Sequence, residues 1–155
     1  MKNILRYPLA FIVVFIAAAL GSFFTSSEIS TWYATLIKPD FTPPNWIFAP
    51  VWFILYVLMA IALARIWGLE RSAERKRWIC TFVAQLGFNV LWSFLFFSFH
   101  GLLTSAIDIV VLWFAVVILT LNSWELDHPS FWLLLPYAAW VTFAMILNIA
   151  LWWIN

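Results

Sequence analysis

Charge is the first thing this chain lacks. Lysine, arginine, aspartate and glutamate make up 10% of its 155 residues and 66% are hydrophobic, whereas a soluble domain is about a quarter charged. So little polar surface cannot cover a globule in water, and a mean hydropathy of +0.99 points the same way. The bilayer is the solvent this composition fits. The net charge of +1 says little, because in a membrane protein the distribution of charge matters more than its sum. Cysteine is nearly absent. Cys80 alone excludes an internal disulfide and a cysteine-based metal cluster, and its place at the start of an apolar run reads as packing. Glycine is scarce too, and there is no glycine-rich phosphate loop, no nucleophile elbow and no His, Cys and carboxylate set at metal-ligand spacing. No metal and no resident cofactor are expected.

What is present is apolar sequence in five runs, 8–25, 46–67, 78–99, 103–121 and 131–154. Each approaches the ~20 residues that cross ~30 Å of hydrocarbon. Backbone amides in lipid must be satisfied within the segment, so the runs are helices. The expected fold is an all-α integral membrane protein, a five-transmembrane-helix bundle in one domain over 1–155. The opening MKNILRYPLAFIVVFIAAALGS also fits a signal peptide, but the apolar run continues through Phe23 and Phe24 and reads as a retained helix.

Lys2 and Arg6 precede the first run, and Arg65, Arg71, Arg75, Lys76 and Arg77 surround the second connection, whereas the loops on the other face carry only Lys38. The positive-inside rule then places the N-terminus inside, with the first loop and the C-terminus outside. The basic run ERSAERKR reads as this topology signal in a solvated loop, with no nucleic-acid partner. His100 and His128 fall at opposite faces, which excludes a two-histidine haem clamp within one chain.

The polar residues inside the runs are costly in lipid and face the bundle interior or a cavity. Gln85, Asn89, Trp92 and Phe96 fall on one helical stripe of the third run. That stripe is either a surface that hydrogen-bonds a ligand or glue between helices. In the fifth run Pro136, Trp140, Ala144 and Asn148 follow at i+4 steps, a small residue between an indole and an amide leaving a notch. Pro136 removes a helical hydrogen bond and is expected to kink the helix. Trp52 and Tyr56 repeat the aromatic theme in the second run. Asp108, early in the fourth, reads as structural with Thr104 one turn away as a partner, or as a functional buried acid. Glu125, Asp127 and His128 read as solvated turn and helix-start residues ahead of Pro129 and Ser130.

Twelve tryptophans are the main chemical resource. Trp67, Trp78, Trp152 and Trp153 sit at run ends and read as an interfacial belt. Trp52, Trp92 and Trp140 are deeper, and flat indole faces suit flat aromatic ligands. On the expected topology these groups gather from mid-membrane to the outer surface, beneath the stretch TWYATLIKPDFTPPNW. That stretch is too long, stiff and aromatic for a plain hairpin. It reads as a lid, with Pro39, Pro43 and Pro44 fixing φ, Trp32, Tyr33 and Phe41 supplying an apolar underside, and Asn45 capping the second helix.

These residues resemble the TspO/MBR family of tryptophan-rich sensory proteins, which includes the mitochondrial translocator protein, once called the peripheral benzodiazepine receptor. The resemblance spans nearly the whole chain. It is carried by Trp32-Tyr33-Ala34, Lys38-Pro39 and Pro43-Pro44 in the first loop, Pro50-Val51-Trp52 with Tyr56, Gln85-Leu86 with Asn89 and Trp92, Asp108, and Pro136-Tyr137 with Trp140 and Leu147-Asn148. Each motif is weak alone; in order on five expected helices they are specific. The resemblance implies a five-helix bundle with a pocket under the first loop. Its ligands would be porphyrins such as protoporphyrin IX, sterols in some members, and isoquinoline and benzodiazepine drugs. Carried over by motif, Trp52, Asn89, Trp140 and Ala144 would line the pocket, with Tyr33 and Pro43 from the lid. Some bacterial relatives degrade porphyrin in light, which would make Trp52 and Trp140 redox partners. Members are often homodimers, with the third helix a candidate interface. Two departures stand out. Phe41 replaces the family's usual tryptophan between Lys-Pro and Pro-Pro, and the sterol pattern after Leu147-Asn148 lacks both its tyrosine and its basic residue, which argues against tight sterol binding.

The candidate ligand-binding set is therefore Tyr33, Pro43, Trp52, Gln85, Asn89, Trp92, Trp140, Ala144 and Asn148, with Trp32, Lys38, Phe41 and Pro44 in the lid. Lys38 would approach an acidic group of the ligand at the rim. Porphyrin binding for transport, sequestration or sensing ranks first. Light-dependent porphyrin breakdown by Trp52 and Trp140 ranks second, and a regulatory membrane protein acting through its basic loop third. The absence of a mitochondrial presequence points to a bacterial cytoplasmic membrane.

Overall fold

The computed structural model describes residues 5–155, and Lys2, one of the basic residues used for orientation, lies outside them. The five apolar runs form helices long and apolar enough to cross a membrane: α1 (Arg6–Thr25), α3 (Asn45–Trp67), α4 (Ala73–Ser93, continued by a π-helical turn Phe94–Ser98), α5 (Leu102–Leu126) and α6 (His128–Ile154). A further short helix, α2 (Trp32–Thr35), lies in the first connection. No strand occurs among the described residues. The protein is a multi-pass integral membrane bundle.

The helices close into a ring in the spatial order α1, α3, α6, α5, α4, with α4 returning to α1. Small residues let α1 join. Its buried stripe is Ala10, Val14, Ala17 and Gly21, and a β-carbon on Gly21 would stand 3.3 Å from Ser93 Oγ. Close backbone approach of this kind is what holds membrane helices together where lipid is as apolar as the side chains.

Helix ends differ from expectation where polar residues extend a helix beyond the hydrocarbon. α4 begins at Ala73, capped by Ser72, whose side chain accepts from the Arg75 amide. The segment after Leu121 continues α5 to Leu126, so the expected loop shrinks to Asp127. The Asp127 side chain accepts from Ser130 N and caps α6, and it forms a two-point ion pair with Arg65 at 2.8 and 3.0 Å. Asp127 is thus a joint between three helices rather than a solvated turn. Burial raises its carboxyl, but the hydrogen bonds from Arg65 and Ser130 outweigh this and hold it below the usual value. Asn45 is the first residue of α3 and makes no side-chain cap, correcting the expected role. Pro136 lies inside an unbroken α6.

Taking the end that carries residues 26–44 as the upper end, the lower half is solid. Trp78 is 2% exposed and donates through Nε1 to Leu119 O and Ser123 Oγ, so it is a core residue and not an interfacial belt residue. Phe82, Met59, Ile66, Leu119 and Leu134 are fully buried around it. Cys80, expected to pack inside, is instead exposed.

Candidate functional site

The upper half encloses a cavity of about 480 Å³. α1, α3, α4 and α6 supply its walls, residues of the first connection reach it from above, and α5 contributes none of its lining. The indole-bearing side is Trp52 from α3, Trp92 from α4 and Trp140 from α6. Ala144 and Asn148 follow Trp140 on the same face of α6, as the i+4 spacing predicts, and both also line the cavity.

Its polar wall is a hydrogen-bonded chain. The Tyr56 hydroxyl donates to Asn89 Oδ1 at 2.8 Å, Asn89 Nδ2 donates to Tyr137 Oη at 3.4 Å, and the Tyr137 hydroxyl donates to Gln85 Oε1 at 2.6 Å. Tyr56 and Asn89 line the cavity; Tyr137 and Gln85 are buried and do not. The third-run stripe therefore splits, Gln85 joining helices and Asn89 both joining them and facing the cavity. Trp92 Nε1 donates to Asn148 Oδ1 at 2.8 Å, and Asn148 Nδ2 donates to Leu102 O, fixing α4, α6 and the start of α5 together. Trp52 packs against both tyrosines, with ring centroids 5.5 Å from Tyr56 and 6.2 Å from Tyr137.

Two donors at the cavity have nothing to donate to. The Tyr33 hydroxyl and Trp140 Nε1 are buried without a hydrogen-bond partner. Burial also raises the Tyr33 phenol above its ordinary value, so it stays protonated and keeps a proton to offer. Lys38 Nζ lies 4.6 Å from the Tyr33 ring centroid and donates to Leu36 O.

Of the segment read as a lid, Tyr33 lines the cavity and Trp32, Lys38, Phe41, Pro43 and Pro44 do not. Trp32 instead stacks on His100 at 4.3 Å, Glu28 pairs with His100 Nε2 at 3.2 Å, and Phe41 meets Phe143 edge-on at 6.4 Å. Asn155 fastens the segment from the other side, accepting from Ile37 N at 2.9 Å and donating to Ile37 O at 3.0 Å. Sequence reasoning missed the contribution of α1. Gly21, Ser22, Thr25 and Ser26 line the cavity, and exposed Ser22 and Ser26 with exposed Ala49 and Phe53 mark an opening between α1 and α3. The signal was the run of small and hydroxyl residues at the end of the first apolar stretch.

Asp108 lies outside this site. It is buried on α5, its Oδ2 has no partner, and Thr104 donates to Gly101 O rather than to it.

Five spanning helices in a closed ring around an upper cavity define the class, a multi-pass integral membrane protein with an interior hollow. The particular family follows from comparison: the TspO/MBR family model matches residues 10–154, and the chain belongs to that family. It is similar to the tryptophan-rich protein TspO of Archaeoglobus fulgidus, 41% identical over 99% of each chain. The protein of the same name from Chlorobaculum tepidum is 37% identical over 99% of this chain and 98% of its own. The bovine translocator protein is 34% identical over 86% of this chain and 80% of its own.

Proposed function

We propose that this chain is a membrane-embedded binding protein for porphyrins and similar flat apolar ligands, acting in their transport, sequestration or sensing. The observation that carries this reading is the cavity itself. Its volume lies within the ~300–1,000 Å³ of ordinary small-molecule sites, which are mostly apolar with a few placed polar groups. Trp52 and Trp140 offer flat faces, Asn89 a fixed amide, and the unpaired Tyr33 hydroxyl and Trp140 N–H ask for acceptors, which a porphyrin's carboxylates supply. The segment above the cavity acts as its lid, fastened at Ile37 and at Glu28. The chain resides in a bacterial cytoplasmic membrane with its N-terminus inside, the orientation that the basic residues around the α3–α4 connection favour. Relatives named for sensing and translocation agree with a binding role.

Tryptophan-fluorescence quenching by protoporphyrin IX tests it. The parent should show saturable quenching at micromolar ligand, weakened about tenfold in Asn89→Ala, the loss of one charge-assisted or well-buried hydrogen bond. An unsaturable response in the parent overturns it.

A second reading has one observation in its favour. Trp52 lies against Tyr56 and Tyr137, a cluster of oxidisable rings at the cavity wall. It is light- and oxygen-dependent porphyrin breakdown with Trp52 and Trp140 as redox partners. Trp52→Phe and Trp140→Phe should then keep binding and lose turnover, and undiminished turnover in both would remove this reading.

A further inference from the structure

A second hollow lies on the outside of the bundle. It is a groove of about 460 Å³ between α3 and α6, walled by Val51, Ile54, Pro136, Ala139, Phe143 and Trp140. Ile54, Pro136 and Ala139 are exposed, and both helices are membrane-spanning, so the groove faces hydrocarbon. Its walls carry no polar group other than the indole. A depression open to the bilayer does not stay empty, because apolar atoms on its lining lose their dispersion contacts until something fills it. The adjoining material is acyl chain, and nothing in the groove selects anything more polar.

Trp140 belongs to both hollows. Its ring contacts Phe48 on the cavity side at 5.9 Å and Phe143 on the groove side at 5.4 Å. Three other indoles wedged between helices are held by hydrogen bonds: Trp78 to Leu119 and Ser123, Trp92 to Asn148, Trp113 to Thr142. Trp140 Nε1 is buried with no partner, so packing alone sets where this ring stands. The partition between the two hollows is thus an indole held by packing alone.

We propose that the α3–α6 groove is a binding site for a lipid acyl chain, which backs the Trp140 ring and thereby sets the width of the cavity behind it. Bilayer composition then tunes the cavity through one side chain. The acyl site stands on its own; its effect on ligand rests on the reading of the cavity as a ligand site.

The test has two arms, both in lipid nanodiscs. In the first, protein labelled with 5-fluorotryptophan is observed by ¹⁹F NMR, the Trp140 resonance being assigned by its absence in Trp140→Phe. Lipid carrying a nitroxide on its acyl chain should broaden Trp140 strongly and Trp78 little. Ala139→Phe, which fills the groove without touching the cavity, should protect Trp140; Ala139→Leu serves the same purpose with less bulk if the larger side chain prevents folding. Equal broadening of Trp140 and Trp78, or no protection by either variant, overturns the acyl site. In the second arm, protoporphyrin IX affinity is compared between straight-chain and methyl-branched lipids. The parent should differ about fivefold, the lower end of ordinary coupling between two sites, and Ala139→Phe should not differ. The same lipid dependence in parent and variant, or none in the parent, overturns the coupling. Absence of saturable protoporphyrin binding in the parent refutes the proposed function instead, and the first arm still decides the acyl site.

Discussion

The two halves of this bundle are made from the same helices and have opposite interiors. Below, Trp78, Phe82, Met59 and Leu134 fill the ring completely. Above, the same ring opens around a cavity walled by Trp52, Trp92 and Trp140. Hydrophobicity does not distinguish them, since each half is rich in large apolar side chains. The difference is how the polar atoms are used. In the lower half the Trp78 N–H is spent twice on α5, and Asp127 is spent on Arg65 and on the start of α6. In the upper half the Tyr33 and Trp140 donors are left over. Below, Arg6 Nε is the exception that finds no partner, and it lines no cavity. A region whose hydrogen bonds otherwise close on the protein is a support, and one that holds donors in reserve around a cavity is suited to bind.

The largest test of this contrast is truncation of one indole in each half. Trp78→Ala removes a fully packed ring and both of its hydrogen bonds, leaving Ser123 Oγ and Leu119 O bonded to each other. In lipid the apolar transfer term is small, so the cost is lost packing and hydrogen bonding, about 2–4 kcal/mol. Trp52→Ala enlarges a space that already exists and should cost under about 1 kcal/mol. Unfolding in mixed micelles, titrated with sodium dodecyl sulfate and followed by far-ultraviolet circular dichroism, measures both. Equal losses would mean that the upper half is as much a support as the lower.

Next comes the joint at Asp127, which belongs wholly to the solid half. Asp127→Ala removes the α6 cap and the partly exposed ion pair together, and should cost about 1–2 kcal/mol. The pH dependence has a definite sign. The folded carboxyl titrates below its ordinary value near 3.8, so its contribution is complete above that value and is lost as pH falls through the folded one. Asp127→Asn should flatten the acid limb of stability against pH and leave the neutral plateau lowered. An unchanged acid limb would show that Asp127 does not carry that dependence.

The same contrast explains what could be read from sequence. The five spanning runs were legible because hydropathy is a property of the run itself, and the order of motifs placed Trp52, Asn89, Trp140 and Ala144 on inward faces. Trp78 was misread because position at a run end does not say whether an indole faces lipid or the bundle; its two acceptors come from α5, 41 and 45 residues away. The end of α5 was read as loop because asparagine, serine and glutamate lower hydropathy without breaking a helix. The α1 wall escaped notice for the opposite reason. Glycine and serine carry no strong signal, and only the approach of Tyr56 and Ser93 makes Gly21 part of a site.

A smaller effect is expected within the hollow half. Tyr56→Phe deletes the first hydrogen bond of the chain through Asn89, Tyr137 and Gln85, and should cost about 1 kcal/mol. Asn89→Leu should cost more, since it strands the Tyr56 hydroxyl and also removes the bond to Tyr137 Oη. A double mutant cycle between Tyr56 and Gln85, which share no direct hydrogen bond, reads whether the chain acts as a unit. Strict additivity would make it a set of separate bonds.

The smallest effect belongs to the segment above the cavity. Asn155→Ala breaks the paired bonds to Ile37, which are exposed at the edge of the bundle and so worth little to global stability. Unfolding should shift by no more than about 0.5 kcal/mol. Local opening should still rise, because Glu28 and Trp32 on His100 and the Phe41–Phe143 contact then hold the segment without the paired bonds at Ile37. Hydrogen exchange of the amide of Ile37 should accelerate in Asn155→Ala, while amides of the lower half around Trp78 keep their protection. If both regions accelerate together, the segment opens only with global unfolding, and the two halves form a single cooperative unit.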